Sequence, residues 1–209
     1  MPAAAESDQL TESMLYLITP LAAYLLGSVS SAILISRLLG LPDPRTEGSR
    51  NPGATNVLRL GSKSGAVLTL AGDIAKGLLP VVTARWILDE PVFLTLAALG
   101  SFLGHLFPVY FRFEGGKGVA TALGVLAAID WQLASILIAT WLVVAAVFRY
   151  SSLAALVTAA AAPVYLFWLT GEPVFVGLGV VLAALLFFRH SENIRRLLCG
   201  NESKIGKKN

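Results

Sequence analysis

The chain has 209 residues, of which 56% are hydrophobic and 14% are charged, with a formal net charge of +3. An average soluble domain carries about 25% charged residues, so this composition excludes an ordinary soluble protein. The basic residues are divided among several loops, which fits membrane topology better than nucleic-acid binding. The single cysteine, Cys199, excludes an intramolecular disulfide and gives no metal-ligand spacing.

Uncharged apolar stretches predict membrane-spanning helices, each of which needs roughly 17–25 mostly apolar residues. Residues 1–13 are polar and acidic and lack the basic start of a cleavable signal peptide, so we expect a periplasmic tail before a retained first span. The expected spans are 14–36, 64–88, 92–111, 119–129, 131–148, 151–170 and 173–189. The predicted fold class is therefore all-α, a polytopic bundle of seven transmembrane helices that ends in a basic cytoplasmic tail, 198–209.

The basic residues orient this bundle. With the N-terminus outside and seven crossings, the inner segments hold 14 of the 16 Lys and Arg residues. Positive charge favours the cytoplasmic side. If the short segment 119–129 did not cross, every later loop would change sides. We therefore predict a periplasmic N-terminus and a cytoplasmic C-terminus, with three polar clusters on the cytoplasmic face.

The first cluster, residues 48–56, combines small, hydroxyl and amide side chains that suit phosphate oxygens. Arg59 follows within one helical turn of the cluster and offers a bidentate contact. The predicted binding residues are Gly48, Ser49, Asn51, Gly53, Thr55 and Asn56. The alternative is a hydrogen-bonded turn in which Arg45 and Arg50 only fix the topology.

The second cluster, Gly115, Gly116, Lys117 and Gly118, lies directly before the apolar segment that begins at 119. Backbone N–H groups at a helix start attract an anion, glycines let it approach, and Lys117 adds a point charge. A Walker A loop is excluded, because Phe111 stands where a glycine is required and Gly118 replaces Ser or Thr. A flexible turn between helices is the alternative.

The third cluster begins where the last predicted span reaches the cytoplasm. His190 and Asn193 are three residues apart and share one helical face. Glu192 is placed to pair with Arg195 or Arg196, and Arg189 suits an anchor at the membrane interface. At the start of another helix, Ser151 and Ser152 could cap that helix, or Ser152 could contact a substrate.

Asp73 and Lys76 are charged residues inside a predicted span, three positions apart. Such groups tend to pair with each other inside the bundle, so a structural ion pair is expected. The same pair supports a competing function, a transporter for a small phosphorylated anion, whose site would lie near the midplane. The position of the polar clusters at one face, and the lack of a visible internal repeat, favour an enzyme.

Five ordered motifs give a more specific interpretation. They are Gly27-Ser28, GSRNPGATNVLR at 48–59, DIAKG at 73–77, GHLFPVYFRFEGGKGVAT at 104–121 and RHSENIRRL at 189–197. Together they resemble the bacterial membrane acyl-phosphate:glycerol-3-phosphate acyltransferase family, the PlsY family, over nearly the whole chain. Arg50 occupies a position at which a small residue is more usual.

The resemblance implies a single membrane acyltransferase domain, 1–209, in the bacterial cytoplasmic (inner) membrane, with its active site facing the cytoplasm. It implies transfer of a fatty acyl group from acyl phosphate to the 1-hydroxyl of glycerol 3-phosphate, the first acylation of phospholipid synthesis. The products would be lysophosphatidic acid and phosphate, and a link to an acyl-phosphate-producing enzyme is implied. The His-x4-Asp pair of other glycerolipid acyltransferases is absent, since Tyr110 and Arg195 follow the two histidines at that spacing.

Roles for individual residues follow from this comparison. Ser49, Lys117, His190 and Asn193 are the predicted catalytic residues. Ser49, Thr55, Asn56 and Lys117, with Gly115, Gly116 and Gly118, would hold phosphate, whereas Arg59, Ser152, His190 and Asn193 would orient glycerol 3-phosphate. The proton acceptor is either His190 or the departing phosphate, and we favour the phosphate. No acidic or His/Cys cluster has metal-ligand spacing, so no metal or organic cofactor is expected.

Overall fold

The computed structural model describes residues 2–206, with side chains from residue 9 onward. Within that range it contains only helices and the loops that join them. The ten α-helices are α1 (Pro2–Gly27), α2 (Ser31–Leu38), α3 (Ala54–Arg59), α4 (Lys63–Ile87), α5 (Pro91–Leu106), α6 (Val119–Ile129), α7 (Trp131–Phe148), α8 (Ser151–Thr170), α9 (Pro173–Arg189) and α10 (Ser191–Leu198). A 3-10 turn, Val109–Phe111, follows α5.

Five segments are long and apolar enough to cross a membrane, and most coincide with predicted spans. They are Gln9–Leu38, Lys63–Ile87, Pro91–Phe111, Trp131–Phe148 and Ser151–Thr170. A sixth crossing is obtained if α9 and α10, which are bent by 64° at their junction, are taken as one segment. Helix α6 has only 11 residues. The all-helical class is therefore confirmed, whereas the count of seven crossings stays a prediction.

The structure shows the two ends of the bundle in more detail than the sequence predicted. Helix α1 already begins at Pro2, so the predicted N-terminal tail is helical, which its alanine-rich start favours. The first predicted span is also broken at residues 28–30, where the Ser28 Oγ donates to Tyr24 O at 2.8 Å. At the other end, residues 199–206 fold back onto the bundle. Residues 207–209 of the predicted tail lie outside the described part of the chain.

Glycines allow the helices nearest the polar loops to pack at backbone distance. A Cβ at Gly104 would lie 2.2 Å from Tyr24 O, so α5 packs directly on α1. A Cβ at Gly77 would lie 2.3 Å from Thr121 O, which places the short helix α6 against α4. Small residues are the usual means of such close approach between membrane helices. This packing fixes the start of α6, and hence the preceding glycine loop, relative to α4 and α5.

The buried charges of α4 form the ion pair predicted from the sequence. Lys76 Nζ lies 2.9 Å from Asp73 Oδ1, and the two side chains are 8% and 5% exposed. The same ammonium donates to Val29 O at 2.9 Å, in the break between α1 and α2. His105 Nδ1 lies 3.7 Å from Asp73 Oδ1. The pair therefore joins α4 to the broken first span.

Candidate anion-binding site

The loop before α3 is organised around the buried side chain of Asn56. Its Oδ1 accepts from the backbone N–H of Ser49 at 2.8 Å, and its Nδ2 donates to Pro44 O at 2.8 Å and Glu47 O at 3.0 Å. Gly48 has a φ of +64°, and a Cβ there would lie 2.3 Å from Asn56 Oδ1. Asn56 thus shapes the loop from within, whereas Ser49, Thr55 and Arg59 lie on its exposed surface.

The same loop folds back against the bundle, as its composition predicted. Val57 of α3 is fully buried and packs with Ala32 of α2 and Ala66 of α4. Gly53 precedes α3 with an extended backbone, φ −162°. Asn51, beside Gly53, is partly exposed. The loop that carries the predicted phosphate-binding side chains is therefore held in place by its packing against α2 and α4.

The glycine loop before α6 passes over the end of α5 and touches the first loop. Gly116 N donates to His105 O at 3.2 Å. A Cβ at Gly116 would lie 2.3 Å from His105 Nε2 and 2.9 Å from Pro52 O, so no larger residue fits between α5 and the first loop. Gly118 has a φ of +87°, in the left-handed region that favours glycine.

Arg189 secures this loop from α9. Its Nη2 donates to Gly115 O at 2.6 Å and its Nε to Gly116 O at 3.1 Å. Its guanidinium carbon also lies 5.8 Å from the centre of the Phe107 ring, a cation–π distance. The sequence suggested only a membrane anchor for Arg189, and the spacing of the motifs gave no sign of these bonds.

Lys117 and Asn193 form the centre of the site. Lys117 Nζ donates to Asn193 Oδ1, which joins the glycine loop to α10. His190 is buried one turn before Asn193, and its Nδ1 lies 2.8 Å from Leu186 O. A carbonyl oxygen only accepts, so Nδ1 is the donor, and Nε2 of the neutral ring is left as an acceptor. This is the tautomer that a general base at Nε2 requires.

Glu202 is a member of the site that the sequence interpretation missed. Its Oε1 accepts from Ser152 Oγ at 2.7 Å and from Asn193 Nδ2 at 2.7 Å, and its Oε2 accepts from Arg196 Nε at 2.7 Å. The available signal was a lone carboxylate within an otherwise basic tail. The N-cap of α8 is Tyr150, so the predicted capping by Ser151 or Ser152 is wrong.

Two guanidinium groups, Arg59 and Arg196, and two carboxylates, Glu192 and Glu202, surround Lys117, so the ammonium of Lys117 leaves the cluster with a net positive charge. Burial, and then the charge of Arg196, lowers the pKa of Lys117 to about 8. Burial works to raise the pKa of Glu202, but hydrogen bonds from Ser152, Arg196 and Asn193 outweigh it and hold that pKa below its usual value. Glu192 pairs with Arg196 at 3.7 Å, which confirms one of the two partners that the sequence predicted for it. An anion would therefore meet ammonium and guanidinium groups here.

Two open cavities lie among the loops, and neither of them is lined by a predicted site residue. One of about 370 Å³ is lined by Glu192, Arg195, Arg196, Cys199 and Asn201. Another of about 610 Å³ is lined by Arg37, Arg45, Thr46, Tyr110, Phe111, Arg112 and Glu114. In the part of the chain that the structure describes, no three His, Cys, Asp or Glu side chains come together as metal ligands would. The site offers cationic, amide and hydroxyl groups instead.

These features define a class of protein: a helical, multi-pass membrane protein with a candidate anion-binding site where its polar loops meet. Residues 17–200 match the profile of the family described as glycerol-3-phosphate acyltransferase. The chain belongs to this family, which confirms the resemblance read from the motifs. The transporter alternative loses its support, since the chain belongs to a family of acyltransferases.

Curated relatives and solved structures agree with this assignment. The glycerol-3-phosphate acyltransferase of Thioalkalivibrio sulfidiphilus is 60% identical over 188 residues, 90% of this chain and 93% of the relative. That of Methylococcus capsulatus is 53% identical over 186 residues, 89% and 94% of the two chains. The crystal structure of PlsY (YgiH), an integral membrane glycerol 3-phosphate acyltransferase, in its glycerol 3-phosphate form has a TM-score of 0.87 and 40% identity, covering 91% of this chain and 96% of that one. Its lysophosphatidic acid form has a TM-score of 0.85 and 39% identity, with 91% and 95% covered.

The structure brings the predicted site residues together in two groups. In the first, Lys117 bonds Asn193 directly and Glu202 joins Asn193 to Ser152, with His190 beside Asn193. The second is the neighbouring loop that carries Gly48, Ser49, Asn51, Gly53, Thr55, Asn56 and Arg59. Contact at Pro52 and Gly116 connects the two groups. The role of each of these residues stays a prediction.

Proposed function

We propose that this protein transfers a fatty acyl group from acyl phosphate to the 1-hydroxyl of glycerol 3-phosphate. The products are 1-acyl-glycerol 3-phosphate (lysophosphatidic acid) and inorganic phosphate. One observation carries the proposal: Lys117 is bound by the neutral amide of Asn193, among Arg59 and Arg196, in the fold of an acyltransferase family. A cation without a carboxylate partner keeps its charge for a substrate phosphate.

The reaction needs no covalent enzyme intermediate. The 1-hydroxyl oxygen attacks the acyl carbonyl carbon, a new ester bond forms, and the bond between that carbon and the phosphate oxygen breaks. The hydroxyl proton passes to an oxygen of the departing phosphate. Acyl phosphate is already activated, so placement of the two substrates and stabilisation of developing negative charge supply most of the acceleration.

Side chains divide between the two substrates in this scheme. Lys117, with donors from Ser49 and Thr55, stabilises the phosphate of the acyl donor. Arg59, Ser152 and Asn193 orient glycerol 3-phosphate. The remaining predicted residues act through the shape of the loops, and they are Gly48, Asn51, Gly53, Asn56, Gly115, Gly116 and Gly118.

His190 provides the alternative proton acceptor through its free Nε2. A positioned general base contributes about 10²–10⁴-fold to the rate. If the phosphate is the acceptor, His190→Gln keeps turnover within about tenfold of wild type, below the range of a general base, and leaves the pH profile unchanged. A loss of about a thousandfold would assign the proton to His190 instead.

The activity is tested by giving the purified protein synthetic acyl phosphate and glycerol 3-phosphate. Phosphate release in a one-to-one ratio with lysophosphatidic acid supports the proposal, and acyl-CoA in place of acyl phosphate is the matched control for the donor. Uptake of glycerol 3-phosphate into proteoliposomes without any acylated product would support transport and contradict the proposed enzymatic function. A stimulated rate with an acyl-phosphate-producing enzyme tests the proposed functional link.

The proposed topology has seven crossings in the bacterial inner membrane, a periplasmic N-terminus and a cytoplasmic C-terminus with the site on the cytoplasmic side. The inner-loop excess of basic residues supports it. Cys199 is exposed, so an impermeant maleimide should label it only after intact cells are opened. The matched variant carries Cys199→Ser and Glu12→Cys and should be labelled in intact spheroplasts. The reverse pattern would overturn the orientation.

A further inference from the structure

Residues 199–206, here called the C-terminal strap, are fastened to the start of α8. Ile205 N donates to Arg149 O at 2.7 Å, and Arg149 Nη2 donates back to Ile205 O at 3.1 Å. Lys204 Nζ lies 5.6 Å from the centre of the Tyr150 ring, a cation–π distance. The strap is therefore tied down beyond Glu202, and α10 holds it before Glu202.

The carboxylate of Glu202 is fully engaged by the site. Its three donors, Ser152, Asn193 and Arg196, each lie at 2.7 Å. Its side chain is 6% exposed. Because three hydrogen bonds keep the pKa of this carboxyl below its usual value, Glu202 is an anion at neutral pH.

The Glu202 carboxylate determines the orientation of the hydrogen-bonding groups of Asn193 and Ser152. A carboxylate only accepts hydrogen bonds, so it selects the NH2 end of the Asn193 amide and turns Oδ1 toward Lys117. With the amide reversed, an NH2 group would face the Lys117 ammonium, and both are donors. The single hydroxyl proton of Ser152 is likewise directed at Glu202.

We propose that Glu202 is a positioning residue for glycerol 3-phosphate: its carboxylate orders Asn193 and Ser152 before the substrate arrives. The inference rests on the proposed function, in which those two side chains orient this substrate. Side chains that are already ordered bind a substrate more tightly, because none of the binding free energy is lost in ordering them.

Charged or titratable groups of several elements surround Lys117, and Glu202 is one of them. They are Arg59 of α3, Arg189 and His190 at the end of α9, Glu192 and Arg196 of α10, and Glu202 of the strap. The negative charge of Glu202 raises the pKa of Lys117. Removal of that charge should therefore move the alkaline limb of the pH–rate profile to lower pH.

The test is steady-state kinetics of the full-length protein with glycerol 3-phosphate varied at saturating acyl phosphate. Glu202→Ala should raise the KM for glycerol 3-phosphate about tenfold or more, the size expected when charge-assisted hydrogen bonds are lost. The KM for acyl phosphate should stay within about twofold, a change below 0.5 kcal/mol.

Two variants separate orientation from charge. Glu202→Gln keeps an acceptor oxygen for Ser152 and Asn193, so its KM should stay within about threefold of wild type while its alkaline limb moves. Glu192→Gln removes a carboxylate that is 87% exposed and lies 3.7 Å from the same Arg196, without touching Ser152 or Asn193. Its KM should equal that of wild type.

Three outcomes would overturn the inference. One is an unchanged KM in Glu202→Ala with wild-type thermal stability. Another is a lower KM, which would mean that Glu202 competes with the substrate phosphate. The third is an equal rise in KM in Glu202→Ala and Glu202→Gln.

Misfolding of Glu202→Ala would still leave a decisive test. In that case Glu202→Met takes its place, because it keeps the length of the side chain but removes the acceptor oxygens: a KM for glycerol 3-phosphate raised about tenfold supports the role, and an unchanged KM opposes it. Failure of the proposed function is distinguishable from failure of this inference, because in the first case the wild type would form no product. Binding of glycerol 3-phosphate would then be measured by the rise in melting temperature that it causes in wild type and in Glu202→Ala, and equal rises would oppose the role.

Discussion

Two lysines of this chain show how the same side chain serves structure in one region and binding in another. Lys76 lies in the interior and is paired with Asp73 at 2.9 Å. Lys117 lies where loops meet, and within the described residues its charge is paired with no carboxylate. Its bond goes to the neutral oxygen of Asn193. The charge of Lys76 is neutralised by Asp73 and serves to join helices. The charge of Lys117 is not neutralised by the amide of Asn193, so it can attract an anion.

The largest expected effect comes from unpairing the interior charge. Lys76→Met leaves Asp73 buried without its partner, which costs about 3–5 kcal/mol. We expect a large fall in melting temperature and in yield of folded protein. The double variant Asp73→Asn with Lys76→Met removes both charges and should recover most of the loss. Wild-type melting of Lys76→Met alone would show that the pair is dispensable.

Removal of the charge at the loops should affect turnover instead of stability. Lys117→Met is expected to lower kcat about 10²–10³-fold, the range for loss of one group that stabilises developing charge. Its melting temperature should stay close to wild type. Lys63→Met removes an exposed lysine at the start of α4 and should have normal kinetics. Equal rates in Lys117→Met and wild type would break the comparison between the two lysines.

The shape of the first loop can be tested with two glycines of the same backbone conformation. Gly48 and Gly40 both have a φ of +64°, but only a Cβ at Gly48 meets Asn56 Oδ1, at 2.3 Å. Gly48→Ala should therefore lower kcat/KM about 30-fold, as expected if roughly 2 kcal/mol of loop hydrogen bonding is lost. Gly40→Ala carries the same φ penalty without the clash and should have nearly normal activity. Equal losses would mean that backbone strain alone is responsible.

A smaller effect is expected from pH. The pKa of Lys117 is lowered to about 8, so its ammonium is present below that pH and is lost as the pH rises through it. At pH 9 we expect kcat/KM near one tenth of its plateau, since about a tenth of Lys117 stays protonated. Phosphate monoesters lose their second proton with a pKa of about 6, well below this limb, so ionisation of the substrate does not explain it. In Lys117→Arg the limb should disappear, because arginine keeps its proton; persistence of the limb would assign it to another group.

The sequence by itself determined most of the helices and the identity of the family. Helices α7, α8 and α9 begin and end within a residue of the predicted spans, because uncharged apolar runs bounded by Arg149, Gly171 and Arg189 are local signals. The Asp73–Lys76 pair was predictable for the same reason, since three residues of helix place both on one face. The polar motifs also identified the loops that meet in the site.

Only the tertiary structure decided how those loops are held together. Ser152 and Glu202 are 50 residues apart, and Lys117 and Asn193 are 76 apart. Such contacts depend on the packing of α8, α9 and α10, which no local pattern encodes. For that reason the sequence indicated only an anchor at Arg189 and a tail residue at Glu202, yet Arg189 binds the glycine loop and Glu202 joins α8 to α10. The break after Gly27 is of the same kind, because the buried ammonium of Lys76 binds the carbonyl that the break leaves free.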